Sequence, residues 1–437
     1  MRTITAWVLI IGTIAFIALA PRLIPREGAE LHQQQIATVE LTLTARYVIG
    51  VHQLLNATQQ AQPAGQTQSL LGAARQHAQS PLDQLRLVPV IAELLGPGAA
   101  LEKLDEIEPK LAAPDLARDG KTLRQIYSEG VDALSTQERE QLFDRHGFFG
   151  KLALSWGKPS TDPLRYSVLR AAQRTVIALI LLVLFVIAAF VTGVVLLIIF
   201  IILAAQGRIR RANRPPISPR PRLLESFAIY LLGMVGLSFA VRYVLRVESL
   251  SASVLILFLA PIALAWPAAR LGIRQTAREI GFTPGRGAIR EIALGLAGYI
   301  TGIPIIAVGF LLTLILSKFA GVHPVHPIIE AAGKGPRVAL ELYLLACGVA
   351  PMVEETMFRG ALYQWLRTHT GWIISGLIVG LLFAAVHPQG WTAFPALAAI
   401  GFVLAGIREF RGTLLPAMAA HAFNNFIAMT FLVVALG

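Results

Sequence analysis

Two adjacent carboxylates and an arginine, Glu354, Glu355 and Arg359, lie in the stretch Ala350–Gly360, which is otherwise apolar enough to be buried in lipid. An ionisable side chain at membrane depth is costly and by default marks a functional site. Successive residues of a helix point about 100° apart, so Glu354 and Glu355 cannot do the same job. Arg359 follows Glu355 by four residues, shares its face, and can hold it ionised through a charge-assisted hydrogen bond. Glu354 is then the freer carboxylate and suits general-base work. A purely structural Glu–Arg pair at a helix kink near Pro351 is the competing reading.

Two later apolar segments supply further polar groups. Phe383 and His387 are four apart, with Pro388 directly after. A lone histidine there is ordinarily an interfacial or capping residue. His421 and Asn425 are again four apart, with Asn424 beside them. Such a pair inside an apolar helix either joins helices by hydrogen bonds or lines a polar cavity. A carboxylate and a histidine on one water can hydrolyse a bond without a covalent intermediate. His421 and Asn425 could donate to the oxyanion that develops at a scissile carbonyl. Glu354, His387 and His421 are also a conceivable zinc set, but the His-Glu-x-x-His pattern is absent and no bound cofactor is expected. No Gly-x-Ser-x-Gly turn accompanies these histidines, which disfavours a serine nucleophile.

The elements that carry these residues must bring them to one depth. Apolar runs over 338–367 and 372–387 form a helical hairpin turning at Thr368–Gly371. At ~1.5 Å per residue, Glu354 lies ~20 Å before that turn and His387 ~22 Å after it. His421 stands ~12 Å into the last run, and Asn425 ~18 Å. All four groups can therefore share a layer. Further candidate spans cover 4–20, 176–205, 224–241, 250–269, 292–316, 394–407 and 414–436. The expected fold is all-α: a polytopic membrane bundle of about nine transmembrane helices, with a helical extracytoplasmic N-terminal domain. Gly298/Gly302 and Gly376/Gly380 have the spacing that lets membrane helices approach closely.

Composition agrees. Of 437 residues, 55% are hydrophobic and 15% charged, and mean hydropathy is +0.62. These values exclude an ordinary soluble enzyme. The net charge of +12 is concentrated outside 22–174, where 17 basic and 17 acidic residues cancel. Six arginines lie between Arg208 and Arg222, and five lie between Arg270 and Arg290. Short basic loops between apolar runs follow the positive-inside rule and place those loops in the cytoplasm. No basic face on a folded module suggests nucleic-acid binding. A single cysteine, Cys347, excludes an intrachain disulfide and a thiolate metal cluster.

The expected order is a transmembrane anchor (1–21), an extracytoplasmic helical domain (22–174), a transmembrane helix (175–206), a basic proline-rich cytoplasmic linker (207–222) and an intramembrane domain (223–437). Ala18-Leu19-Ala20 imitates a signal-peptidase site, but Pro21 is a poor fit after a cut, so an uncleaved anchor is expected. The scattered histidines His32, His52, His77 and His146 lack metal-ligand spacing.

The motifs Glu-Glu-x-x-x-Arg at 354–359, Phe-x-x-x-His at 383–387 and His-x-x-x-Asn at 421–425 occur in order within apolar segments. Together they resemble the CPBP family of intramembrane proteases, also called the ABI family, the bacterial relatives of the type II CAAX prenyl endopeptidase. Gly281-Phe282-Thr283-Pro284 is similar to the segment leading into that domain. The resemblance covers roughly 223–437 and implies a glutamate-type peptidase. It implies that Glu354 and His387 activate water, that His421 and Asn425 form the oxyanion hole, and that Glu355 and Arg359, with Phe383 of the second motif, support them. The implied setting is a bacterial cell membrane, with a membrane-associated, CAAX-like protein or peptide as substrate and the lipid bilayer as surroundings. Competing readings are a non-proteolytic scaffold or bacteriocin-immunity-type protein, and a transporter. No internal repeat supports the transporter.

Overall fold

The computed structural model describes residues 2–23, 29–57, 64–216, 221–240, 258–321 and 336–436. Parts of several expected features lie outside these residues: 24–28 and 58–63 of the N-terminal domain, 217–220 of the linker, 241 of the span at 224–241 and 250–257 of the span at 250–269. Every regular element among the described residues is helical. Four helices are long and apolar enough to cross a membrane: Pro163–Ala205, Pro221–Phe239, Ala288–Ala320 and Trp391–Arg411. Three shorter apolar helices, Arg2–Ile17, Leu259–Leu271 and Trp372–Ala385, fall on other expected spans. Among the described residues, four helices thus meet the length and hydropathy of a span, against about nine spans expected for the whole chain. Chain contacts divide the protein into two compact units, Glu27–Leu184 with Phe431–Gly437, and Met1–Arg26 with Phe185–Thr430.

The first unit contains α2 (Ala29–Ala57), α3 (Ala64–His77), α4 (Pro81–Leu95), α5 (Pro97–Ile107), α6 (Pro114–Glu129), α7 (Thr136–His146) and α8 (Phe148–Leu154), with the start of α9 (Pro163–Ala205). Its helices begin where the sequence places strong caps. Ser80 with Asp83, and Ser135 with Glu138, form reciprocal capping boxes at α4 and α7. Leu41, Val48, Leu71, Leu87, Ile91 and Phe149 form one core, and Leu85, Leu104, Leu123, Ile126 and Leu142 another. Arg165 clasps Glu93 through two bonds of 2.8 and 2.6 Å. His146 Nε2–H donates to buried Asp119 Oδ2 at 2.9 Å, a structural role. α9 is one continuous helix that runs through 174/175, and the two compact units part within it at 184/185.

The second unit contains α1 (Arg2–Leu23), the rest of α9, α10 (Pro221–Phe239), α11 (Leu259–Leu271), α12 (Ile273–Ile280), α13 (Ala288–Ala320), α14 (336–367), α15 (Trp372–Ala385), α16 (Phe394–Arg411) and α17 (Leu415–Leu436) as far as Thr430. α1 does more than anchor the chain. Ala6 and Ile10 are buried with Phe227, Leu231 and Leu366, and Trp7 meets Trp365 edge-on at 5.7 Å. Small residues set the remaining spacing. At Gly302 a Cβ would collide with Val403, and at Gly380 with the Ala398 carbonyl, so α13 and α15 press directly onto α16.

α14 is continuous but not uniformly α-helical. π turns span Leu344–Val349 and Thr356–Leu362, on either side of the two glutamates. The first has a local cause. Pro351 has no N–H to donate, and its ring would crowd the carbonyl of Cys347 in a regular helix. The backbone widens instead, and the Ala350 N–H bonds to the Leu345 carbonyl. The turn after α14 is closed by side chains: the Thr368 and Thr370 hydroxyls donate to the carbonyls of Trp365 and Leu366. Thr370 then bonds Ser375 in the first turn of α15. This short link is what sets Glu354 and His387 level.

Candidate functional site

Three helices, α14, α15 and α17, bring the chemistry-bearing residues together. Glu355 and Arg359 are both completely buried, and Arg359 Nη1 donates to Glu355 Oε1 at 2.8 Å. Arg359 Nη2 donates to the Gly401 carbonyl at 2.9 Å, which fixes the guanidinium against α16. Its π face lies 4.7 Å over the Phe383 ring. The same Glu355 oxygen receives the Nδ1–H of His421 at 2.9 Å. Glu355 thus joins Arg359 of its own helix to the histidine of α17. An interior charge network of this kind is costly to break and specifies one arrangement of helices.

Glu354 points elsewhere. Its Oε2 lies 3.8 Å from His387 Nε2 and 3.9 Å from His421 Nε2, and is buried without a hydrogen-bond partner. Both separations are too long for a direct bond. A water ~2.8 Å from each of two such atoms closes the triangle, so one molecule fits between Glu354 and either ring.

The tautomers follow from the partners. The Phe383 carbonyl only accepts, so the 2.6 Å contact to His387 Nδ1 puts the proton on that nitrogen. Neutral His387 then presents the bare lone pair of Nε2 toward Glu354. His421 donates from Nδ1 to Glu355, so its Nε2 donates only when the ring carries two protons. Phe383 packs 4.2 Å from the His387 ring and 5.7 Å from the His421 ring, so one buried aromatic ring contacts both imidazoles.

Asn425 is one turn beyond His421, and its geometry traces back to Pro351. The Ala350 N–H has shifted to Leu345, and Pro351 has none to offer, so the Ala346 carbonyl loses its helical partners. Asn425 Nδ2 donates to that carbonyl at 2.8 Å. One amide proton is thereby committed to stabilising the π turn, and the second is left for another acceptor.

Zinc fits these distances poorly. Two ligands of a tetrahedral zinc at 2.0–2.1 Å stand ~3.3 Å apart, and the donors here are 3.8 and 3.9 Å apart. Among the described residues no group of three His, Cys, Asp or Glu side chains is placed to hold a metal ion.

A second buried carboxylate was not distinguished in the sequence. Glu409 of α16 is fully buried and accepts from Arg367 Nε and Nη2, Tyr363 Oη and Asn213 Nδ2, all between 3.0 and 3.1 Å. Gln364 exchanges two bonds with the Asn213 amide, and the Asn213 backbone N–H donates to the Glu409 carbonyl. The linker expected to be a plain cytoplasmic tether is therefore tied to α14 and α16 through Asn213. Nearby, Arg411 pairs with Glu291 of α13 at 3.0 and 2.7 Å. The only available signal was a glutamate flanked by Arg408 and Arg411 at the end of an apolar run.

Residues 336–427 match the family model described as "Type II CAAX prenyl endopeptidase Rce1-like". The match covers the helices that carry all three motifs, α14 to α17, and about a fifth of the chain. The likeness to the CPBP and CAAX protease family is thereby shown for this segment. Comparison with curated proteins finds no match, and neither does comparison with solved structures.

Proposed function

We propose that the chain is an intramembrane peptidase in which Glu354 is the general base. At the level of the family, the Rce1-like segment supports a CAAX-type membrane protease. The observation that carries the finer reading is the approach of His387 Nε2 and His421 Nε2 to the unpartnered Glu354 Oε2 at 3.8 and 3.9 Å, separations that a shared water would bridge. A water there gives one hydrogen bond to Glu354 and the other to the bare His387 nitrogen. Its lone pair is left free to attack a carbonyl carbon. Glu354 takes the proton as the C–O bond forms and returns it to the leaving amine as the C–N bond breaks. The oxyanion accepts from the free amide proton of Asn425 and from doubly protonated His421. Glu355 and Arg359 orient His421, and Phe383 holds the two rings apart. No metal or other cofactor takes part.

The substrate in this reading is a peptide or protein already associated with the membrane, of CAAX-like type. It is cut near the cytoplasmic face, which the basic loops identify. The N-terminus is cytoplasmic, and 22–174 form an extracytoplasmic helical domain of a multi-pass protein in a bacterial membrane.

The test uses purified full-length protein in vesicles with an internally quenched, farnesylated CAAX peptide. Wild type is expected to cleave it, Glu354→Ala and His387→Ala to be inactive while folded, and a chelator to have no effect. Equal processing by wild type and both variants would sink the protease reading and leave a scaffold or immunity-type role. Loss of cleavage with chelator and recovery with zinc would overturn the metal-free mechanism.

A further inference from the structure

Asn425 is the end of a chain of hydrogen bonds that begins on another helix. Tyr299 of α13 donates its hydroxyl to Asn424 Oδ1 at 2.7 Å. Asn424 Nδ2 donates to Asn425 Oδ1 at 3.1 Å, and Asn425 Nδ2 donates to the Ala346 carbonyl at 2.8 Å. A primary amide can turn over and exchange its oxygen and nitrogen at little steric cost. Here the Ala346 carbonyl, which can only accept, requires the Asn425 nitrogen, and the Asn424 NH2 requires the Asn425 oxygen, while the Tyr299 hydroxyl holds the other end of the Asn424 amide in place. The Tyr299 ring is itself 7% exposed and meets Phe423 edge-on at 5.8 Å, so the hydroxyl is held at the start of the chain.

We propose that Tyr299 and Asn424 are positioning residues that lock the Asn425 amide with its free N–H directed to the oxyanion. This rests on the peptidase reading above. A turned amide would present a carbonyl oxygen to the developing negative charge and repel it. Preorganised donors stabilise the transition state because they need no reorientation when charge appears. The relay therefore acts on kcat and leaves KM alone.

Tyr299→Phe tests this cleanly, because it removes one hydroxyl and keeps the ring on Phe423. With the vesicle-bound farnesylated peptide, Asn425→Ala is expected to lower kcat by roughly 10²-fold or more, as loss of an oxyanion donor does. Tyr299→Phe is expected to lower it by roughly tenfold with KM unchanged, the scale of one lost hydrogen bond. The double variant should be no worse than Asn425→Ala, since both act through one amide. Multiplying effects, or a change in KM alone, would overturn the relay. Full activity of Asn425→Ala would instead overturn the oxyanion role of Asn425, and the relay with it. A second readout needs no turnover. In protein labelled with 15N-asparagine, the Asn425 side-chain amide, identified by its loss in Asn425→Ala, should give one pair of proton signals. Tyr299→Phe and Asn424→Ala should double or broaden that pair, and an unchanged pair in both would refute the relay.

Discussion

The Rce1-like segment contains two buried carboxylate–arginine clusters that look equivalent as sequence but differ in what they leave open. Around Glu409 both carboxylate oxygens have partners: Oε1 accepts from Arg367, and Oε2 accepts from Arg367, Tyr363 and Asn213. Around Glu354 and Glu355, one oxygen of each carboxylate is buried without a partner. Two imidazole nitrogens face the free oxygen of Glu354 at less than 4 Å. A saturated network holds helices together, whereas an unsaturated one in a polar gap can take a water or a substrate atom. Buried charge alone does not distinguish the two clusters; the unpartnered carboxylate oxygen facing two imidazoles does.

The sharpest way to break this comparison is to neutralise each cluster without changing its shape. Glu354→Gln should reduce kcat by ~10²–10⁴, the range for a lost general base, and leave the thermal midpoint in detergent near that of wild type. If Glu409→Gln removed activity as strongly in folded protein, the two clusters would not differ in kind. Next in size are the ion pairs. Arg359→Met and Glu409→Leu each leave a buried charge without its partner and should cost ~3–5 kcal/mol of stability, read from thermal aggregation of the purified proteins. Combining Glu355→Leu with Arg359→Met should restore much of that stability while activity stays low, because His421 loses its anchor. Restored activity in this double variant would remove Glu355 from the site.

A smaller effect is expected at the linker. Asn213→Ala leaves Gln364 and Glu409 with unfilled bonds and should cost ~1–3 kcal/mol, with kcat of the folded fraction unchanged. A fall in kcat at unchanged stability would mean that the linker reaches the chemistry. Smallest is Phe383→Leu. It removes the aromatic face under Arg359, worth ~0.5–2 kcal/mol, and loosens both histidine rings. Its activity should fall modestly and remain measurable. Abolished activity would give Phe383 a larger part than packing.

Much of this was legible before any coordinates. The helix period places Arg359 over Glu355, and the lengths of the hairpin arms put Glu354 and His387 level, because a helix advances by a nearly constant rise. Spacing of that kind is local, and the Glu355–Arg359 pair persists even though a π turn widens the helix over Thr356–Leu362. The placing of α1 was not legible. An apolar run with a proline after it reads as an anchor, and only packing shows Trp7 against Trp365. Asn213 was equally hidden, since its partners are 151 and 196 residues away in sequence.

The sequence by itself determined which residues carry charge and hydrogen-bonding groups into lipid, and at what intervals along each helix. It also determined that Pro351 would disturb α14, since proline lacks the donor the helix needs. Only the tertiary structure decided how that disturbance is resolved, with the Ala346 carbonyl turned to Asn425. It also decided that Arg359 and His421 both bond one oxygen of Glu355, while the Glu354 oxygen that faces His387 and His421 has no direct hydrogen-bond partner. Two neighbouring glutamates have the same chemistry. Which one is free depends on what the other helices offer them, and that is a property of the assembled bundle.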